Sequence, residues 1–213
     1  MERQDLAGEA YFMRAFSYFM LANLYGKPYH PATANEDLCV PLNKEIGLSD
    51  KMMKRATNAA VYAQMEEDIN KAIQCFKAIG GEKTIFRPNL PSAYLLASRI
   101  ALFQEKYDVT ILYCDSVFKV ATQPLYKLQE KKDHYFFSLA NKEILLSYGL
   151  TSLETHMKED FRYTGNLVVS DDLLALYSED DLRLTNYFKN TIGNQTRPTN
   201  KQYSVYTVSY TRL

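Results

Sequence analysis

Three charged residues lie at or within apolar stretches of the sequence and are the first candidates for chemistry. Glu9 precedes the apolar run Ala10–Tyr25, Arg14 interrupts it, and Asp68 lies in a second amphipathic stretch. A charge buried without a partner is strongly unfavourable, so such groups are either paired or functional. We interpret them as a structural ion pair in which Arg14 bonds to Asp68 or to Glu9, in preference to catalytic groups.

The other polar residues form no recognisable catalytic or metal-binding pattern. His30, His134 and His156 share no helical i, i+4 face, so no zinc site is predicted. The serines lack a nucleophile-elbow setting, no glycine-rich phosphate loop occurs, and the 25 acidic residues include no distinguished carboxylate pair. The sequence therefore predicts no catalytic residue, no metal, no cofactor and no enzymatic activity.

Aromatic residues are abundant, with 17 Tyr and 11 Phe, and most of them follow helical stripes typical of a core. Phe161, Arg162 and Tyr163 instead lie in a stretch without periodicity, while Tyr203 and Tyr206 lie in a predicted edge strand. An exposed aromatic ring packs on the C–H face of a sugar, and polar neighbours bond the hydroxyls. These five residues are therefore the candidate carbohydrate-binding residues.

The composition favours an ordinary globular domain. The chain has 213 residues, 46% of them hydrophobic, and a formal net charge of +0 with no long basic run, so a nucleic-acid partner is not indicated. Cys39, Cys75 and Cys114 lack C-x-x-C spacing and are interpreted as buried thiols.

The positioning elements begin with the apolar run itself. Ala10–Tyr25 carries apolar residues on two stripes of a 3.6-residue period, which predicts a helix buried on nearly all sides. Gly26, followed by Pro28, is expected to end this helix in a left-handed conformation. The run is shorter than the roughly 20 residues of a membrane span and contains Arg14, so a span is rejected.

Further helices are predicted along the first part of the chain. Thr57-Asn58 is expected to cap a second helix, which ends at Gly80-Gly81. A helical hairpin follows, with one helix from Pro91 to Phe103 and another from Tyr107 to Val120. Alanines at four-residue spacing in its first helix allow close packing, and the hairpin loosely resembles a tetratricopeptide unit.

The second part of the chain is predicted to be loop-rich. Asn141–Tyr148 is interpreted as a short buried strand, Asp171–Tyr177 as a short helix and Tyr203–Tyr210 as a strand. The fold class is therefore mainly α: irregular tetratricopeptide-like helical hairpins with long inserted loops and a few short strands. We expect a single domain over residues 1–213, with a helical scaffold at about 1–121 and a loop and short-strand region at about 122–213.

Five landmarks occur in the order typical of one family and cover about residues 6–185. They are the Gly-Glu-Ala-x-Phe-x-Arg-Ala helix at residues 8–15, Glu67-Asp68-Ile69, the hairpin ending in Lys106-Tyr107-Asp108, Asn141-Lys142-Glu143-Ile144-Leu145, and Leu173–Arg183. In this pattern the chain closely resembles the SusD/RagB family, surface lipoproteins that capture nutrients for outer-membrane transporters in Bacteroidetes. Five ordered landmarks are more specific than one short motif.

The resemblance implies a function and a location. It implies a non-catalytic protein that binds an oligosaccharide or other nutrient, a SusC-like TonB-dependent transporter as partner, and a place at the cell surface of the outer membrane. Family members carry a lipidated N-terminal Cys and further helices at both ends. We therefore expect this chain to be a truncated middle portion, with membrane attachment only through a lipid anchor absent from it.

One alternative function is compatible with helical hairpins. An intracellular tetratricopeptide adaptor would bind a peptide or protein partner in a concave groove. Regular hairpin spacing and short loops would favour that alternative, and this sequence has neither.

Overall fold

The computed structural model of the chain describes residues 2–44, 52–80, 84–121, 143–147, 171–178, 180–181, 188–190 and 203–205. Four long helices dominate these residues: α1 (Glu2–Tyr25), α2 (Asn58–Ile79), α3 (Leu90–Phe103) and α4 (Tyr107–Val120). The shorter elements are α5 (Asp171–Leu174), β1 (Phe188–Asn190) and β2 (Tyr203–Val205). The prediction of a mainly α fold with a few short strands is confirmed.

The chain forms two compact units. The first contains Met1–Thr122, Leu145–Ser147 and Leu213, and the second contains Gln123–Ile144 and Tyr148–Arg212. All four long helices belong to the first unit. The expected domain organisation, a single domain with a change of character near residue 121, stays a prediction.

The core of the first unit lies between α1 and α2, and each helix contributes one face at three- and four-residue spacing. The buried residues of α1 are Phe12, Ala15, Tyr18, Phe19 and Ala22, and those of α2 include Val61, Met65, Ile69, Ala72 and Phe76. In turn, α2 packs against α3, and α3 packs against α4. This order of contacts is that of successive helical hairpins.

The opposite side of α1 faces solvent, so the prediction of burial on nearly all sides is wrong. Leu6 is 60% exposed, Met20 is 44% exposed and Leu24 is 68% exposed. Among the described elements, α2 is the main neighbour of α1, and α3 reaches it where Phe103 meets Phe19 with ring centroids 5.0 Å apart. An apolar stripe indicates what a face prefers, but burial requires a neighbour on that side. No described helix has the length and hydropathy that a membrane crossing requires.

Local side-chain bonds set the starts of α2 and α3. The Thr57 hydroxyl accepts a hydrogen bond from the Ala60 N–H at 3.3 Å, as the sequence predicts for this cap. Helix α3 begins one residue before the predicted Pro91, because Asn89 and Ser92 form a reciprocal capping box. The Asn89 amide oxygen accepts from the Ser92 N–H at 3.0 Å, and the Ser92 hydroxyl accepts from the Asn89 N–H at 2.9 Å.

Gly26 ends α1 for a reason other than the predicted one. Its φ is not positive; among the described glycines, Gly80 has that conformation, with φ 51°. A Cβ atom added at Gly26 would instead lie 2.6 Å from the Ala22 carbonyl oxygen and 2.9 Å from the Cys39 sulfur. The absence of a side chain therefore allows the chain after α1 to pass close to the helix end.

We expect Gly26→Ala to lower the free energy of unfolding by about 1–3 kcal/mol, as overpacking does in tightly packed regions. Urea denaturation followed by circular dichroism measures this loss. The same substitution in a Cys39→Ala background should cost less, because one of the two close contacts is removed. Equal stability of Gly26→Ala and the parent would contradict the close approach.

The predicted strand at Asn141–Tyr148 is wrong over its described part. Residues 143–146 follow an irregular path and Ser147 forms a single bridge, although Leu146 and Ser147 are buried as a core segment should be. The Ser147 N–H donates to the Ile85 carbonyl at 2.6 Å, and the Asn89 side chain donates to the Leu145 carbonyl at 2.9 Å. The described residues include one bridge position, and a strand requires a continuous ladder.

The second unit contains α5, β1 and β2. Helix α5 spans Asp171–Leu174, shorter than the predicted Asp171–Tyr177. Strands β1 and β2 pair in antiparallel fashion, with Phe188 opposite Val205 and Asn190 opposite Tyr203. The predicted strand therefore begins at Tyr203 as expected, and residues 206–210 lie outside the described part of the chain.

Candidate functional site

Arg14 on α1 and Asp68 on α2 form a bidentate ion pair. The Arg14 Nε lies 2.7 Å from Asp68 Oδ2, and its Nη2 lies 2.6 Å from Oδ1. Gln64, one turn earlier on α2, donates to the same Oδ1 at 3.1 Å, and the Asp68 side chain is fully buried. The hydrogen bond from Arg14 to Asp68 raises the pKa of the guanidinium. The pair joins the two central helices, and its two-pronged geometry is the favourable one for Arg and carboxylate.

Glu9 has a different partner, Arg87, in the loop before α3. The Arg87 Nε lies 2.6 Å from Glu9 Oε1, and its Nη2 lies 3.2 Å from Asp5 Oδ2. The sequence suggests Asp68 or Glu9 as the partner of Arg14, and in the structure Arg14 bonds to Asp68. Arg87 was not among the sequence candidates, because a loop arginine 78 positions from Glu9 carries no spacing signal.

The predicted carbohydrate-binding residues lie mostly beyond what the structure describes. Phe161, Arg162, Tyr163 and Tyr206 are outside the described residues, and Tyr203 starts β2 with its backbone opposite Asn190. Their role in sugar binding stays a prediction.

The cysteines and other metal-binding residue types do not cluster in the described ranges. Cys39, Cys75 and Cys114 carry free thiols, with Cys39 buried and the other two partly buried. Burial raises the pKa of the Cys39 thiol. Within the part of the chain that the structure describes, no three His, Cys, Asp or Glu residues come together as a metal site would require.

A cleft of about 230 Å³ lies between α2, α3 and α4. Its floor is apolar and includes Ile69, Ala97 and Ile100. Two polar pairs line it: the Tyr113 hydroxyl donates to the Asn70 side chain at 3.1 Å, and Lys106 pairs with Glu66. These pairs join neighbouring helices, and their polar groups bond to each other. We therefore interpret the cleft as a gap between packed helices.

A larger pocket, of about 390 Å³, lies where α1 ends. We call it the α1-end pocket; its lining includes Tyr25, Lys27, Glu36, Asp37, Leu38 and Arg55. Apart from Asp37, these side chains are exposed, so the pocket opens at the protein surface. It combines an aromatic and an aliphatic residue with charged groups of both signs.

The polar groups of this pocket are held in place by bonds within the protein. Arg55 donates from Nη2 to the Leu38 carbonyl at 2.8 Å and to the Tyr25 carbonyl at 3.3 Å, and from Nε to the Cys39 carbonyl. Lys27 Nζ lies 2.5 Å from Asp37 Oδ1. The bonds from Lys27 and from Thr33 lower the pKa of the Asp37 carboxyl.

Comparison with protein families decides the relationship that the fold suggests. A SusD-like family model, described as "Starch-binding associating with outer membrane", matches residues 1–102. Residues 1–102 of the chain therefore match the SusD-like family. The matched residues contain α1, α2 and nearly all of α3, together with every residue that lines the α1-end pocket. No curated protein matches the chain.

Solved structures of SusD-like proteins share the fold. A SusD superfamily protein from Bacteroides thetaiotaomicron is 22% identical with a TM-score of 0.74, over 94% of this chain and 47% of that one. A SusD-like carbohydrate-binding protein from Bacteroides vulgatus is 18% identical with a TM-score of 0.67, over 88% and 40%. A laminarin-binding SusD-like protein is 23% identical with a TM-score of 0.51, over 69% and 32%. This chain thus spans less than half the length of these three relatives.

Proposed function

We propose that this chain is the scaffold portion of a non-catalytic protein that binds glycans at the cell surface and delivers them to an outer-membrane transporter of the SusC type. The observation that carries the proposal is the family match over residues 1–102, whose description joins starch binding to the outer membrane. The laminarin-binding relative supports a glycan as the ligand class.

Capture for a transporter requires reversible binding and no covalent step. Stacking on exposed aromatic residues and hydrogen bonds to hydroxyls supply such binding. The packed helices, joined by the Arg14–Asp68 pair, supply a rigid base for loops such as the one that follows α1. A binding site on loops held by a rigid scaffold is the usual arrangement for recognition.

We expect the full chain to bind at least one glycan class when titrated calorimetrically with α-1,4-glucan fragments of starch, β-1,3-glucan fragments of laminarin, and a panel of unstructured peptides. The glycan should be recovered unchanged by chromatography after prolonged incubation. Heat of binding from peptides alone, with none from any glycan, would contradict the proposal and favour the tetratricopeptide adaptor.

The transporter partner has a separate test. The tagged chain, added to detergent-solubilised outer membranes of a Bacteroides species, should retain a large TonB-dependent β-barrel. The same chain carrying a destabilising core substitution is the matched control, because it lacks the folded surface. Equal recovery of the barrel by both forms would count against a specific partner.

A further inference from the structure

We propose that the α1-end pocket is a binding subsite for one neutral sugar unit of the glycan. This inference rests on the proposed function. It adds the location of a binding subsite and the expectation that the bound sugar unit is uncharged. The pocket volume of about 390 Å³ lies within the range of about 300–1,000 Å³ typical of small-ligand sites.

The walls of the pocket are built before a ligand arrives. Arg55 donates to carbonyls on both sides, at Tyr25 on the end of α1 and at Leu38 in the loop. The Asn58 side chain donates to the Lys27 carbonyl at 2.9 Å and so fixes the first residue beyond the Gly26 turn to the start of α2. A pocket that is already ordered loses little conformational entropy on binding, which favours affinity for a small ligand.

The charges of the lining favour a neutral ligand. Lys27 and Arg55 are balanced by Glu36 and Asp37, and both signs line the same small pocket. A phosphate or sulfate group would meet two carboxylates there, and an amine would meet two cationic groups. Sugar hydroxyls suit such a lining because each one both donates and accepts a hydrogen bond.

The bonding capacity left in the pocket matches those hydroxyls. Arg55 and Asp37 bond within the protein, whereas the Lys27 side chain is 72% exposed and spends one of its three N–H groups on Asp37. The exposed Glu36 carboxylate lines the same pocket and can accept a hydrogen bond. The pocket thus presents a donor at Lys27 and an acceptor at Glu36 to a ligand.

Apolar surface lies next to these groups. Tyr25 is 68% exposed and Leu38 is 50% exposed, and both line the pocket. Single exposed apolar residues are common on proteins. Two of them in one pocket with polar groups give the pocket both an apolar and a polar part, which suits a pyranose ring. The ring has an apolar C–H face and a polar rim.

The test is calorimetric titration with whichever glycan fragment binds the parent chain most tightly in the panel described above. We expect Tyr25→Ala to weaken binding by about five- to tenfold and Glu36→Gln by about two- to tenfold. Tyr25→Phe should retain the parent affinity within about twofold, because the ring remains. The matched control is Tyr107→Ala, which removes a tyrosine that is 61% exposed at the start of α4 and should leave binding unchanged.

The possible outcomes separate the subsite from the function. If the parent binds a glycan and Tyr25→Ala and Glu36→Gln both keep its affinity, the subsite is overturned and the proposed function stands. If the parent binds no glycan, the proposed function fails and the subsite fails with it. A thermal melt of each variant shows that a loss of affinity is not a loss of folding, and Glu36→Gln alters only an exposed group.

Discussion

Replacing Arg14 with Met is expected to lower the free energy of unfolding by about 3–5 kcal/mol, since it removes one partner of a buried ion pair. Asp68 has no exposed side-chain surface and would lose the guanidinium that compensates its burial, while the bond from Gln64 remains. Asp68→Asn should cost less, because the Arg14 side chain is 36% exposed and can turn toward water. Urea denaturation followed by circular dichroism measures both losses.

A matched control is available on the same pair of helices. Lys71 lies 2.6 Å from Glu67, one turn apart on the exposed side of α2, so Lys71→Met should change stability little. Arg14→Met combined with Asp68→Leu should recover most of the loss, because no buried charge remains. Glycan affinity per folded molecule should be unchanged in Arg14→Met. Equal stability of Arg14→Met and Lys71→Met would contradict a structural role for the Arg14–Asp68 pair.

Phe12→Ala is expected to cost about 3–5 kcal/mol of unfolding free energy, as the deletion of a buried aromatic ring usually does. Phe12 is fully buried on the face of α1 that meets α2, and its ring stacks near Phe16 with centroids 6.4 Å apart. The cavity left behind is surrounded by close-packed helices that can relax only in part. Chemical denaturation of the purified variant gives the loss directly.

The control for this prediction lies on the other side of the same helix. Met20 is 44% exposed, so Met20→Ala should change stability by no more than about 0.5 kcal/mol. The contrast tests the one-sided burial of α1. Losses of similar size at both positions would mean that both faces of α1 are covered in solution, as the hydropathy of the run predicts.

The sequence located the long helices well because their signals are local. The observed α4 has the predicted bounds, and the observed α2 starts after Thr57 and ends before Gly80, as predicted. Caps, turn residues and the 3.6-residue period all act within a few residues of each other, so they can be recognised in the sequence without knowledge of the tertiary structure. Three of the five family landmarks lie on these helices, which is why much of the resemblance could be recognised from the same residues.

The errors occur where a residue depends on a distant neighbour. Glu9 pairs with Arg87, and Gly26 is constrained by Cys39 across the loop, and neither partner is marked by spacing. The segment at residues 143–147 has buried residues as predicted, but it bonds to a loop and a helix cap and shows one bridge position instead of the predicted strand. An apolar run indicates burial, and only its partners determine its conformation.

The α1-end pocket shows the same division between local and distant information. Its lining comes from three separate positions, residues 25–27, 36–38 and 55, which no motif connects. Tertiary contacts bring them together: Arg55 bonds to carbonyls on both of the other segments. The sequence-based sugar-binding candidates between Phe161 and Tyr206, whose role stays a prediction, were found because unpatterned aromatics are visible in a sequence; a composite pocket is not.

The sequence by itself determined the helical character of the chain, the approximate bounds of its long helices, the presence of a paired buried charge and the resemblance to the SusD-like family. These follow from composition and short-range spacing, since hydrophobic periodicity and capping are encoded in adjacent turns. Only the tertiary structure decided which face of α1 is buried, that Asp68 and not Glu9 holds Arg14, and where a pocket forms. Each of these depends on residues far apart in the chain, whose meeting is determined by the packing of whole helices.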